Sequence, residues 1–269
     1  MPPSQIQKTA AVTGGTGAIG RAISRQLAEM GYSVVLCTRN ETKSERTVQE
    51  LQQSTKNPRI SYELVDLSRS RSIKKLRNRW TGGLDILINN AGTTPKTRLE
   101  TPEGIELQFA TNVLGYFWMI RAFQDLLIES APSRIVNVAS YWAGGLDLQD
   151  LEFERRQYSN GAAYRQSKQA DRMLTVAFSE RLKKHDVTVN ACHPGDVNST
   201  LSNNLGFGGH QTPDQGAETP VWLSTSPAVE GITGKYFENK KQVPCPYIKD
   251  KEAAEALYNI CAQYNDPSL

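Results

Sequence analysis

Short apolar runs alternate with helical stretches along the whole chain, and this alternation limits the folds open to it. KTAAVT (8–13), SVVLCT (33–38), RISYELV (59–65), LDILIN (84–89), RIVNVA (134–139), VTVNAC (187–192) and GKYFEN (234–239) read as strands. Between and after them the spacing predicts helices over 19–31, closed by Gly31, and near 42–54, 69–80, 103–130, 162–184, 214–226 and 250–264. Several strands are apolar throughout instead of alternating, as expected when both faces of a sheet are covered. Strand-helix alternation then implies a parallel sheet with helices on both faces. No linker, repeat or low-complexity segment interrupts it, so residues 1–269 read as one domain with a sizeable core.

Composition excludes several function classes. A net charge of +3, evenly spread, is too mild to argue for nucleic acid. The four cysteines, at 37, 192, 245 and 261, form neither a CxxC pair nor a metal-like cluster with histidine. Cys37 and Cys192 fall in apolar runs and read as buried free thiols, which suits a reducing compartment. MPPSQIQK at the N-terminus has no apolar run, and no stretch of about eighteen apolar residues occurs. Neither a signal peptide nor a membrane anchor is expected, and a cytoplasmic location follows. The sequon Asn198-Ser199-Thr200 carries little meaning without a secretory signal.

Chemistry enters with the motifs. The first strand runs into TGGTGAIG (13–20) and then a helix. In that context a glycine-rich turn lets the backbone approach a pyrophosphate at a helix N-terminus. Gly14, Thr16, Gly17, Ala18, Ile19 and Gly20 are the candidate contacts. After the second strand come Thr38, Arg39 and Asn40. No acid is present there to take ribose hydroxyls, and an arginine stands where a 2′-phosphate would lie, so NADP(H) is expected over NAD(H). Asp66 and Leu67 follow the third strand; Asp66 suits either the adenine amino group or the N-cap of the next helix. Tyr164 and Lys168, with Ser167 between, lie four apart and so on one helix face. An ammonium beside a phenol stabilises its anion and lowers its pKa toward the range of a proton donor. Taken alone, such a pair also fits a solvated helix face.

These motifs occur in a fixed order: TGGTGAIG, VDLS, NNAG (89–92), Asn112, Ser140 in VNVAS, Tyr164-x-x-x-Lys168, and HPGDV (193–197). In this the chain resembles a short-chain dehydrogenase/reductase over essentially its whole length. DLEFE, YSNGAAYRQSKQA, TPDQGAETPVWLS, GKYF and AEALYNI resemble the retinol-dehydrogenase-like branch. The resemblance implies a doubly wound Rossmann fold, with a seven-stranded parallel sheet in the order 3-2-1-4-5-6-7. It implies reduction of a ketone or aldehyde to an alcohol, or the reverse, by hydride transfer. In that reaction Tyr164 donates the proton and Ser140 bonds the carbonyl oxygen. Lys168 tunes Tyr164 and holds the nicotinamide ribose, and Asn112 holds a water linking Lys168 to solvent. Asn89, Ala91 and Gly92 would run along the adenosine side of the cofactor. Pro194, Gly195 and Val197 would border the nicotinamide, with Ser199, or Thr200 beside it, on the cofactor.

His193 reads as structural. The Gly- and Asn-rich segment 201–213 stands where the family places a mobile substrate lid, with Gly206, Gly208 and Gly209 as hinges and Phe207 over an apolar substrate. Tyr141, Trp142 and Leu146 are candidate pocket residues. The family implies a small-molecule partner and a homodimer or homotetramer. Two features depart from the pattern. Ala18 replaces the usual middle glycine, a spacing closer to epimerase-like members. The hydrophobic N-terminal segment of many membrane-bound retinol dehydrogenases is absent, which argues against a membrane-lipid substrate. The rival readings are a nucleotide-sugar epimerase or dehydratase, and a non-catalytic NADP(H)-sensing regulator. The short C-terminal part opposes the first; the joint presence of Ser140, Tyr164 and Lys168 opposes the second.

Overall fold

The structure, a computed structural model, describes residues 7–264. Residues 1–6, on which part of the argument against a leader rests, lie outside the described residues. One sheet contains β1 (Thr9–Thr13), β2 (Ser33–Thr38), β3 (Ile60–Leu64), β4 (Ile86–Asn89), β5 (Ser133–Val138), β6 (Val187–His193), β7 (Tyr236–Glu238) and β8 (Lys241–Gln242). Their order is β3-β2-β1-β4-β5-β6-β7-β8, and every pairing is parallel except the last. The helices are α1 (Ala18–Glu29), α2 (Glu41–Thr55), α3 (Ser70–Arg79), α4 (Gly115–Glu129), α5 (Asn160–Leu182), α6 (Thr200–Asn204), α7 (Pro213–Thr225) and α8 (Lys251–Gln263).

The apolar strands are buried on both faces, as their unbroken runs require. In β1, Ala10 and Val12 pack with Ile23 and Leu27 of α1 and with Ala217 and Val221 of α7. The intervening Ala11 joins Phe117 of α4, Phe178 of α5 and Leu257 of α8 on the other face. Strand periodicity of two thus feeds two separate cores from one strand.

Two expectations are corrected. The sheet has eight strands, not seven, because Asn239 and Lys240 both adopt left-handed backbone (φ 48° and 60°) and turn the chain back as a two-residue hairpin. The helix expected from 103 starts later. Gly104 takes φ 83°, and the buried Glu106 carboxylate accepts from the backbone N–H groups of Gln108 (2.8 Å) and Phe109 (2.7 Å), capping a helical start there. A π-helical segment, Phe109–Leu114, then leads into α4. All four cysteines are free and buried. Among the described residues no helix is long and apolar enough to cross a membrane, and no group of His, Cys, Asp and Glu is arranged to hold a metal.

Candidate active site

The strand order reverses between β1 and β4, so the loops leaving their C-terminal ends diverge and open a crevice. The chain leaves β1 at Gly14 with φ 66°, where a Cβ would lie 3.0 Å from the Ala91 Cα; at Gly20 a Cβ would come within 2.3 Å of the Gly14 carbonyl oxygen. Gly17 is the N-cap of α1 and makes no side-chain cap, and the first turn of α1 has no acid. The helix therefore presents its open N–H groups and positive end to the crevice. A groove of about 400 Å³ runs over this turn and suits a dinucleotide pyrophosphate.

Gly14 and residues 16–20 line that groove, as do Thr38, Arg39, Asn40 and Leu67. Ala91, Gly92, Ser199 and Thr200 close its far side. Thr38 is buried and shares a hydrogen bond with Ser44, while Asn40 caps α2 by accepting from the Lys43 N–H at 2.8 Å. Ser199 caps α6 in a reciprocal pair with Ser202. Two residues predicted on the adenosine side do not line the groove. Asn89 is buried in β4 and donates to the Asn137 side chain at 2.9 Å. Asp66 accepts from the backbone N–H and hydroxyl of Ser68, so it neither lines the groove nor caps α3, whose N-cap is Arg69. Several unpredicted residues do line it, Asn90 and Lys43 among them. Asn90, anchored on Thr13 by hydrogen bonds of 2.8 and 2.9 Å, lines both this groove and the cavity beyond. Lys43, in the first turn of α2, lines the same groove as Arg39.

The groove abuts a second cavity of about 560 Å³, and Ile19, Asn90, Gly92, Ser199 and Leu201 line both. Ser140, Tyr164 and Lys168, all buried, meet on its wall. Ser140 leaves the end of β5 and accepts from the Trp142 N–H at 3.0 Å. α5, capped by Ser159, carries Tyr164 and Lys168 on one face. The Lys168 ammonium donates to the Val138 carbonyl (3.0 Å) and to Asp171 (2.8 Å), and lies 5.8 Å from the centre of the Tyr164 ring. Burial pushes the Tyr164 phenol above its ordinary value, against the opposing pulls of Lys168 and Ser140. The expected acidifying effect of Lys168 is present, but burial outweighs it. The resting phenol is a protonated donor.

Asn112 lies in the π-helical segment outside both cavities. Its side chain accepts from the Thr93 N–H (2.8 Å) and donates to the Thr93 carbonyl (3.1 Å), tying that segment to the loop after β4. Pro194, Gly195 and Val197 line the inner cavity, as does His193. Gly195 takes φ 104°, and a Cβ there would meet the Gln211 carboxamide oxygen at 1.8 Å. His193 packs edge-on against Tyr141 (4.6 Å) with Nε2 4.0 Å from Asp196; burial pushes its pKa down to about 4. Trp142 stands between Tyr164 and Phe207, with ring centres 6.3 and 5.8 Å away. Leu146, expected in the pocket, packs against the core. Segment 201–213 comprises most of α6 and a loop whose Gly206, Gly208 and Gly209 all take positive φ.

A family model described as short chain dehydrogenase matches residues 8–206. Retinol dehydrogenase 13 of Mus musculus is 34% identical over 277 residues, covering 95% of this chain and 83% of the relative. Retinol dehydrogenase 14 of Homo sapiens is 32% identical over 285 residues, covering 94% and 84%. A solved protein from Mycobacterium Paratuberculosis aligns with a TM-score of 0.79 at 26% identity, covering 97% and 95%. An actinorhodin polyketide ketoreductase variant, solved with NADPH, aligns at 0.68 with 24% identity over 86% of this chain and 95% of its own, a likeness of fold alone.

Proposed function

The chain belongs to the short-chain dehydrogenase family, in its retinol-dehydrogenase-like branch, and on that premise we propose that it is an NADP(H)-dependent oxidoreductase interconverting an apolar ketone or aldehyde with its alcohol. The observation that carries this reading is the meeting of Ser140, Tyr164 and Lys168 on a cavity that abuts the glycine groove. The glycine turn at 14–20 and the groove over it would hold a nicotinamide dinucleotide, which would supply the hydride for the carbonyl carbon. As negative charge grows on the carbonyl oxygen, Ser140 donates a hydrogen bond to it and Tyr164 gives it a proton. Lys168, held beside the ring, steadies the phenolate left behind.

Arg39 and Lys43 support the preference for a 2′-phosphate. Both line the adenosine end of the groove, and no carboxylate among the described residues lines it. A charge-assisted hydrogen bond is worth about 1.5–3 kcal/mol, so Arg39 alone favours NADPH by roughly 10- to 100-fold, the lower figure applying at high salt. Trp142, Leu201, Leu205 and Phe207 offer an apolar bed for the body of the substrate, with 201–213 closing over it.

The test is turnover of apolar aldehydes and ketones with NADPH. Tyr164→Phe is expected to keep NADPH binding and lose about 10²–10⁴-fold in kcat. Wild-type-like turnover in that variant, or equal kcat/KM with NADH and NADPH at low salt, contradicts the corresponding part of the reading.

A further inference from the structure

Two turns beyond Tyr164 on α5, a buried carboxylate faces the ammonium, and the chemistry above makes no use of it. Asp171 is 1% exposed and Lys168 is 3% exposed. Their charged atoms lie 2.8 Å apart. Lys168 also donates to the Val138 carbonyl, so two of its three N–H bonds are committed. The second Asp171 oxygen has no hydrogen-bond partner among the described residues.

Charge in so dry a place acts over distance. An ammonium alone would draw the Tyr164 phenol toward ionisation, whereas a carboxylate in contact with it cancels much of that field at the ring. Each element packed around the pair contributes groups. Tyr116 of α4 presents its ring 5.1 Å from the ammonium, Cys192 comes from β6, and Cys261 comes from α8. Arg172, next on α5, turns its guanidinium onto the Tyr236 ring (3.6 Å) and the Ser140 carbonyl. Asp196, from the loop after β6, also opposes ionisation of Tyr164. Of the carboxylates among the described residues, only Asp171 touches the ammonium.

We propose that Asp171 is a positioning residue that holds Lys168 and offsets its charge, so that Tyr164 stays a proton donor to a higher pH than a lone ammonium would allow. The inference rests on Tyr164 as the proton donor, but its effect on the phenol can be read without turnover. Tyrosinate absorbance is titrated in the cofactor-free protein, and the Tyr164→Phe protein is subtracted to isolate Tyr164.

In the wild type, Tyr164 is expected to ionise above the range of an ordinary phenol. A midpoint clearly below 9 overturns the proposal without any change at Asp171. In Asp171→Asn, which keeps the size and an acceptor for Lys168, the midpoint falls by about one unit. The alkaline limb of carbonyl reduction moves down with it, and Asp171→Glu restores the wild-type position. An unshifted midpoint in a folded Asp171→Asn protein overturns the proposal. If that variant does not fold, Asp171→Ser is titrated instead, with the same two outcomes. Failure of the Tyr164 assignment would appear separately, as undiminished turnover in Tyr164→Phe.

Discussion

His193 shows how surroundings decide what a residue type can do. A histidine before a proline at a strand end reads as structural, yet this one lines the inner cavity, edge-on to Tyr141 and near Asp196. Burial pushes its pKa down to about 4, so it is neutral at pH 7. In the unfolded chain it titrates near 6.5. Because the folded value is the lower one, the stability gained by keeping the ring neutral is fully present above about pH 6.5. It is lost as pH falls toward 4, where the unfolded state takes up the proton first. Over that window the loss amounts to roughly 3 kcal/mol. His193→Gln is expected to flatten the fall in stability between pH 6.5 and 4, measured by urea denaturation at a series of pH values. An unchanged slope would show that other groups carry it.

At the scale of elements, the stretch between β5 and α5 has no regular structure of its own, and one acid gathers the N–H groups at its middle. Asp150 accepts from the backbone N–H groups of Glu154 (2.7 Å), Arg155 (3.2 Å) and Arg156 (3.0 Å), and from the Arg156 guanidinium (2.9 Å). Burial alone would raise its pKa, but the guanidinium and the three N–H groups outweigh it and hold the carboxyl down to about 2. The folded value lies below the unfolded one of about 3.9. The clamp's contribution is therefore complete above pH 4 and fades as pH falls toward 2. Asp150→Asn is expected to lower Tm at pH 7, with the gap to wild type closing near pH 2. Since this stretch follows Tyr141 and Trp142 at the cavity rim, KM for the carbonyl substrate should rise more than kcat falls. A constant Tm gap across that range would mean that the carboxylate charge is not what holds the segment.

Across the whole molecule, the crevice belongs to no single element. It exists because β1 sends the chain to β2 on one side and has β4 on the other. Cofactor binding should therefore stabilise the entire sheet. At a free concentration 100-fold above Kd, a ligand adds about 2.7 kcal/mol, or roughly 5–10 °C in Tm for a domain of this size. NADPH is expected to give that shift at a concentration where NADH gives much less. Replacing Arg39 and Lys43 together by Ala should bring the two shifts level, as read by thermal denaturation. Equal shifts in the wild type would place the 2′-phosphate elsewhere.

Local signals carry the layer architecture because their causes are local. Doubly buried strands must be apolar throughout, a tight turn at Gly14 needs positive φ, and a four-residue spacing puts Tyr164 beside Lys168 wherever the helix packs. Helix ends and the sheet edge are set by other causes. Glu106 caps the start of the π-helical segment that leads into α4, and Asn239-Lys240 makes a hairpin; both depend on backbone conformations that a hydrophobic pattern does not encode. Packing across the sheet decided the rest. It turned Asn89 inward and Asn90 outward from the same NNAG run, drew Leu146 into the core, and brought Lys43 next to the groove. It also buried Asp171 against Lys168. The sequence shows that this carboxylate sits three residues from the lysine; only exclusion of water by the surrounding helices and sheet makes its charge count at Tyr164.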